Sequence, residues 1–169
     1  MMILGIDLGM GACKLFGAAG GVHLPSHVAI ADGRVIGRLA GMKASKPPLK
    51  VSIEGHSFYV GDGAHEWGRP VESLDYERLT GSPEIRAIVY GALTCYMEQS
   101  VINEPLTLYV GMPLEPLTGE ADQVRATVTA VRDWLKGCHE WQADGRDLAV
   151  EVAEVRITSQ PTGALFDYL

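Results

Sequence analysis

The apolar run 2–6 ends in a carboxylate, Asp7, and is followed by two glycines at alternate positions, Gly9 and Gly11, and then by Lys14. A short apolar run near the N-terminus reads as a buried strand. The two glycines remove side chains where the chain turns tightly and leave backbone N–H groups open. A concave set of such N–H groups is an anion site, and Lys14 can set an ammonium on a phosphate. Asp7 is the odd member, because a carboxylate repels a phosphate. It fits if a hydrated Mg²⁺ stands between them, since Mg²⁺ keeps its waters and binds through one or two carboxylates plus phosphates.

Two common phosphate loops fit badly. The P-loop needs Gly-Lys-Ser/Thr after four spacer residues, and no Gly-Lys pair follows this strand. The dinucleotide fingerprint needs a third glycine where Lys14 stands. On these residues alone, a plain β-hairpin turn remains the alternative to a phosphate loop.

Asp7-Leu8-Gly9-Met10-Gly11-Ala12-Cys13-Lys14 after an apolar strand resembles the first phosphate loop of the actin superfamily, including the bacterial plasmid-segregation and archaeal actin-like proteins. The resemblance implies backbone contacts from Gly9, Met10, Gly11 and Ala12, with Lys14, to the phosphates of ATP or GTP. It implies that Asp7 faces the Mg²⁺ hydration shell. Met10 stands where actin has a hydroxyl residue, so a side-chain phosphate contact is lost there while the backbone contact is not.

The rest of the chain is compatible with such a domain. With 169 residues, 47% hydrophobic and 21% charged, it is long enough for one domain with a proper core. A net charge of −7 argues against sequence-independent DNA binding by this segment; contact with DNA would run through a basic adaptor protein. Cys13, Cys95 and Cys138 are odd in number and far apart, as expected of reduced thiols in a cytoplasmic protein. No apolar run approaches the ~20 residues of a membrane helix, and no basic segment precedes an apolar one as in a signal peptide.

In chain order, residues 13–18 predict a second strand, Ala19-Gly20-Gly21 a turn, and residues 22–24 a third strand in an antiparallel meander. Residues 25–80 are rich in Gly, Pro, Lys and Arg. They predict an exposed loop over 43–48 and a hairpin in which 51–53 and 58–60 flank Glu54-Gly55. Ser82-Pro83-Glu84 is a helix start, with serine as cap, proline in the first helical place and glutamate at the positive end of the dipole. Ile85, Ile88, Val89, Ala92, Leu93, Tyr96 and Met97 then recur at helical spacing. Residues 106–110 predict the next strand. Thr118 is placed as the cap of a second helix running to Lys136, with Val124, Val128, Val131 and Leu135 facing the core and Gly137 as its stop. Residues 140–143 and 148–152 flank Asp144-Gly145 as a hairpin, and residues 155–158 predict a separate last strand.

Two further segments carry the resemblance. Gly111-Met112-Pro113-Leu114-Glu115 resembles the Gly-Leu-Pro element of actin-like proteins, a strand end that borders the nucleotide cleft. Gln160-Pro161-Thr162-Gly163-Ala164 resembles their Pro-Glu/Gln-x-x-Gly-Ala segment, with Ser159 where proline often stands. That resemblance implies that Gln160 faces the γ-phosphate and orients the attacking water; as a bare residue it reads equally as an amide capping a helix that starts at Pro161. Lys14, likewise, reads on its own as a solvated strand residue.

The resemblance implies an α/β, ribonuclease H-like half-domain of the actin-type ATPases: a mixed sheet with flanking helices over 1–24 and 81–169, with a small β-rich outer subdomain inserted over 25–80. The superfamily's site lies between two such halves. Asp7-Leu8-Gly9 is the sequence's one Asp-x-Gly, so a second phosphate loop is not found in it. The expected function is that of the first half of a filament-forming ATPase of plasmid-segregation or cytoskeletal type, a poor ATPase alone and self-associating in full-length form. A sugar-type kinase fragment and a non-catalytic binding module that keeps the fold are the alternatives. His23 and His27 flank Pro25 and so do not share a helical face, and Cys95, Cys138 and His139 lack paired zinc spacing.

Overall fold

The structure, a computed structural model, describes residues 1–33, 46–71 and 76–160. Part of the loop predicted over 43–48, and the whole of 161–164, lie outside the described residues.

The N-terminal run forms strand β1, Met2–Leu8, which extends two residues past the apolar run and takes Asp7 into the ladder. The meander follows as β2, Ala12–Gly17, and β3, Gly20–Pro25, both antiparallel. After β4, Val28–Ile30, the expected hairpin is present as β5, Leu49–Ile53, and β6, His56–Val60. Glu54 and Gly55 have φ of 49° and 83°, the two left-handed positions that a two-residue hairpin turn requires. A short helix α1, Ala64–Trp67, strand β7, Arg69–Pro70, and a 3-10 turn, Tyr76–Thr80, lead to helix α2, Pro83–Met97. The Ile85 N–H donates to Ser82 Oγ at 3.4 Å, the cap that the Ser-Pro-Glu sequence announces. Strand β8, Leu106–Met112, helix α3, Ala121–Leu135, strand β9, Gly137–Ala143, and strand β10, Arg146–Ser159, complete the described order.

These strands form one sheet, in the order β3-β2-β1-β8-β10-β9-β5-β6-β4-β7. β1, β8 and β10 run parallel at its centre, and the other pairs are antiparallel. The link between residues 25–80 and the rest of the sheet is short: Val51 and Ser52 pair with Ala143 and Gln142. It is clamped at its end, where the Lys50 N–H donates to Asp144 Oδ1 at 3.0 Å and the Asp144 N–H donates to the Lys50 carbonyl at 2.9 Å.

The central strands alternate. Leu4, Ile6 and Leu8 of β1, Cys13 and Leu15 of β2, and Leu106, Leu108, Val110 and Met112 of β8 are buried, while Ile3, Phe16 and Tyr109 are exposed. Each fully buried aliphatic side chain contributes about 1.5–3 kcal/mol, so this core, more than any surface ion pair, fixes where the strand ends lie. Helix α2 packs on it and is buried almost all round, touching β2, β3, β5 and β6. At Gly91 an added Cβ would stand 2.8 Å from Val60 Cγ2 and 3.0 Å from Leu24 Cδ2.

Two expectations are corrected. Residues 148–152 and 155–158 belong to one strand, β10, rather than two. β10 pairs antiparallel with β9 along one edge and parallel with β8 along the other, Val152 pairing with both, and its register with β8 shifts by a bulge between Val152 and Glu154. Val150, Val152 and Val155 stay buried across the break. Thr118 does not cap α3. Its Oγ1 donates to the Glu115 carbonyl at 2.9 Å and closes a 3-10 turn, Glu115–Leu117; Gly119, at φ 143°, then separates that turn from the helix, which starts after Glu120 without a side-chain cap.

Candidate functional site

Asp7, the glycine loop, Lys14 and Gln160 meet at one end of the central strands. Asp7 pairs in register with Lys14 on β2 and with Gly111 on β8, and Thr158 lies opposite Gly111 on β10. Parallel β1, β8 and β10 therefore bring the loop after β1 and the end of β10 side by side, although 153 residues separate Asp7 from Gln160. Gln160 Nε2 donates to Asp7 Oδ1. Lys14 Nζ stands 3.5 Å from Asp7 Oδ2. Gly111 lies beside Gln160: a Cβ there would stand 3.5 Å from Gln160 Cγ, an ordinary contact distance.

The loop is held from behind. Ser26 N–H donates to the Gly11 carbonyl at 3.0 Å, and Ser26 Oγ donates to the Gly9 carbonyl at 2.9 Å. With those carbonyls turned to Ser26, none of the N–H groups of Gly9, Met10 and Gly11 donates to a described backbone carbonyl outside the strand ladders. Gly9 is packed: an added Cβ would stand 2.7 Å from the Ala12 carbonyl oxygen. Gly11 is open, with no atom within 4 Å of such a Cβ. Met10 packs against the core, so it can offer a ligand only its backbone. Cys13 points beneath the loop into the core, and burial, aided by the charge of Asp7, pushes its thiol up to about 12. It is no nucleophile at neutral pH.

Asp7, Gly9, Gly11, Ala12, Lys14 and Gln160 line a cleft of about 550 Å³. His23, His27 and Asp62 line it as well. The register of the meander is the signal that finds His23, because it stands opposite Lys14. A larger groove, of about 790 Å³, lies between the two hairpins. Its polar groups are Glu54, Glu140, Asp147 and side chains bonded to one another, such as Gln142 to Asp147 at 2.8 Å and Ser52 to Ser57 at 2.7 Å. Among the described residues no lysine or arginine lines it, so the smaller cleft, with Lys14, is the better anion site.

The Lys14–Asp7 pair is weak. Its side chains are 59% and 33% exposed, and such pairs contribute under about 1 kcal/mol. A charge-assisted hydrogen bond to a phosphate is worth about 1.5–3 kcal/mol, so Lys14 is free to leave Asp7 for one. Among the described residues no group of three or more His, Cys, Asp or Glu side chains could hold a metal ion by itself, and no helix is long and apolar enough to cross a membrane.

The family described as "Actin like proteins N terminal domain" matches residues 5–163. This chain belongs to the actin-like proteins. No curated protein sequence matches it. Among solved structures, the actin-like domain superposes on apo ParM of psk41 with a TM-score of 0.72 at 16% identity, covering 98% of this chain and 51% of that one. The archaeal actin homologue Ta0583 in complex with ADP gives 0.68 at 20% identity, over 100% and 47%. The filament structure of AlfA from the B. subtilis plasmid pLS32 gives 0.69 at 16% identity, over 98% and 58%. The fold is thus that of the actin-type ATPases, and the sugar-kinase reading is not favoured. The chain spans about half the length of the solved structures it matches.

Proposed function

We propose that this domain is the first phosphate-binding wall of a nucleotide-dependent, filament-forming actin-like protein of plasmid-segregation or cytoskeletal type. The observation that carries the reading is the convergence of Asp7, the turn of Gly9, Met10 and Gly11, Lys14 and Gln160 at one strand end. The donor set fits a polyphosphate. Gly11 leaves open space where any other residue would place a Cβ, and Lys14 is exposed and weakly held. In ATP or GTP with Mg²⁺, the nucleotide supplies the phosphoanhydride bond and the ion neutralises phosphate charge. Gly9, Met10, Gly11, Ala12 and Lys14 would hold the phosphates, and Asp7 would hold the ion. Gln160 would orient the attacking water; an amide positions a water but is a poor base.

Filament formation is supported by the likeness to AlfA, solved as a filament, and to ParM. In this reading residues 25–80 form the outer subdomain that shapes filament contacts, residues 1–24 and 81–169 form the core, and an adaptor protein links the filament to its DNA cargo in the cytoplasm.

Calorimetry with Mg-ATP on the 169-residue chain tests the reading. Cofactor sites normally enclose most of their ligand, and the described residues offer one wall, so the expected affinity is on the order of millimolar, about 4 kcal/mol. Lys14→Ala is expected to weaken it further. The absence of saturable binding, or binding indifferent to Lys14→Ala, overturns the phosphate-wall assignment.

A further inference from the structure

We propose that His23 and His27 belong to the phosphate cleft and contact a bound polyphosphate as imidazolium donors. The proposal rests on the phosphate-wall reading and extends it to β3 and the segment that follows.

The geometry comes from register. Asp7 lies opposite Lys14, and Lys14 lies opposite His23, so one row of side chains runs across β1, β2 and β3. Cross-strand neighbours of this kind are about 4.5–5.5 Å apart, within reach of one polyphosphate. Val22 and Leu24 turn inward on either side, and His23 is exposed. His27 arrives by a different route. Ser26 is fixed to the loop through the Gly9 and Gly11 carbonyls, and the next residue is held where its carbonyl accepts the Gly61 N–H at 2.9 Å. His27 is exposed and lines the same cleft as Lys14 and Gln160. Two independent anchors, a strand register and a loop clamp, therefore deliver two imidazoles to one phosphate cleft.

The charges of the cleft give these rings a purpose. Asp7 from β1 and Asp62 after β6 are carboxylates, Lys14 from β2 is an ammonium, and each imidazole gains a positive charge when it is protonated. His65 on α1, next to Glu66, faces His27 with ring centroids 5.1 Å apart. Two carboxylates against one ammonium make a poor welcome for a polyanion. Protonation of both rings reverses the sign. By linkage, whatever proton binding does for phosphate affinity, phosphate binding does for proton affinity.

The test is nuclear magnetic resonance of the imidazole rings in the 169-residue chain, titrated from about pH 8 to about pH 6 with and without magnesium-free sodium tripolyphosphate. The His23 and His27 midpoints are expected to rise by about 0.5–1 pH unit when the ligand is present, equivalent to about 3–10-fold tighter binding for each protonated ring. The His56 midpoint, on the β5–β6 hairpin, is expected to stay in place. A His23→Gln, His27→Gln double variant is expected to gain less affinity on acidification than the unaltered chain; the ligand's own titration is common to both and cancels. Loop amides of Gly9 and Gly11 that shift with ligand while neither histidine midpoint moves overturn the histidine proposal and leave the phosphate wall standing. Loop amides that stay unmoved at millimolar ligand and at every pH overturn the wall, and the histidine proposal with it.

Discussion

Gly9 and Gly11 look alike in the sequence and differ in the structure, and the pair of variants Gly9→Ala and Gly11→Ala separates what each does. At Gly9 the new Cβ would stand 2.7 Å from the Ala12 carbonyl oxygen. That neighbour is backbone, so relief requires the turn to open, and the Gly9 carbonyl that accepts Ser26 Oγ moves with it. Overpacking of this kind costs about 1–3 kcal/mol. For a domain of this size that lowers Tm by about 2–4 °C per kcal/mol, so by about 2–12 °C in all. At Gly11 the new Cβ meets nothing within 4 Å. Its backbone needs no left-handed φ, so Gly11→Ala is expected to leave stability unchanged or raise it by up to about 1 kcal/mol through the unfolded chain. The assay is urea unfolding followed by tryptophan fluorescence, with Tm from calorimetry. Equal midpoints for the two variants, or a larger loss at Gly11, would refute the assignment of one packed and one open glycine on which the shape of the phosphate loop rests.

Other consequences follow from the core. His139 is buried, accepts from Tyr90 Oη at Nδ1 over 2.9 Å and donates from Nε2 to the Leu135 carbonyl over 2.8 Å. Burial lowers its pKa, the Leu135 contact partly opposes this and the charge of Arg86 adds to it, so the neutral ring is the one the fold prefers. The unfolded chain then binds the extra proton first: the stabilisation is present above about pH 6.5 and is lost as pH falls from there through the folded-state value. Urea midpoints should decline from about pH 7.5 to about pH 5.5, and a His139→Gln variant should decline less; parallel curves would contradict this. Gly17→Ala should be more damaging than either loop variant, because its Cβ would stand 2.3 Å from Tyr96 Oη and 2.4 Å from Leu4 Cδ2, both on fully buried residues. A loss of less than about 1 kcal/mol would show that this contact relaxes more freely than close packing allows.

What the sequence reveals and conceals here has physical causes. Both two-residue hairpins were legible because Glu54-Gly55 and Asp144-Gly145 must take left-handed φ, and glycine announces that locally. The Asp7 loop and the Ser82 cap were legible as local signals too, each written in adjacent residues. The single strand β10 was not, because a bulge near Ala153 breaks the alternation that marks a strand and yet continues it. Thr118 was misassigned since the same hydroxyl can close a 3-10 turn or cap a helix, and only the geometry of Gly119 decides. The β5–β9 link and the burial of α2 on nearly all sides depend on partners far along the chain, such as Val51 with Ala143 and Gly91 with Val60. At the site, Asp7 with Gln160 came from motifs, whereas His23 required the strand register and His27 required the clamp at Ser26.

The measurement closest to the central claim is a map of backbone amide shifts in the ¹⁵N-labelled chain titrated with Mg-ADP to millimolar concentration. The account expects saturable shifts at Gly9, Met10, Gly11 and Ala12 and at Lys14, with the Gln160 side-chain amide moving alongside as its bond to Asp7 adjusts, and loss of the set in Lys14→Ala. Shifts confined to the larger groove, at Ser52, Gly55, Gln142 or Leu148, or no saturable shift anywhere, would contradict it.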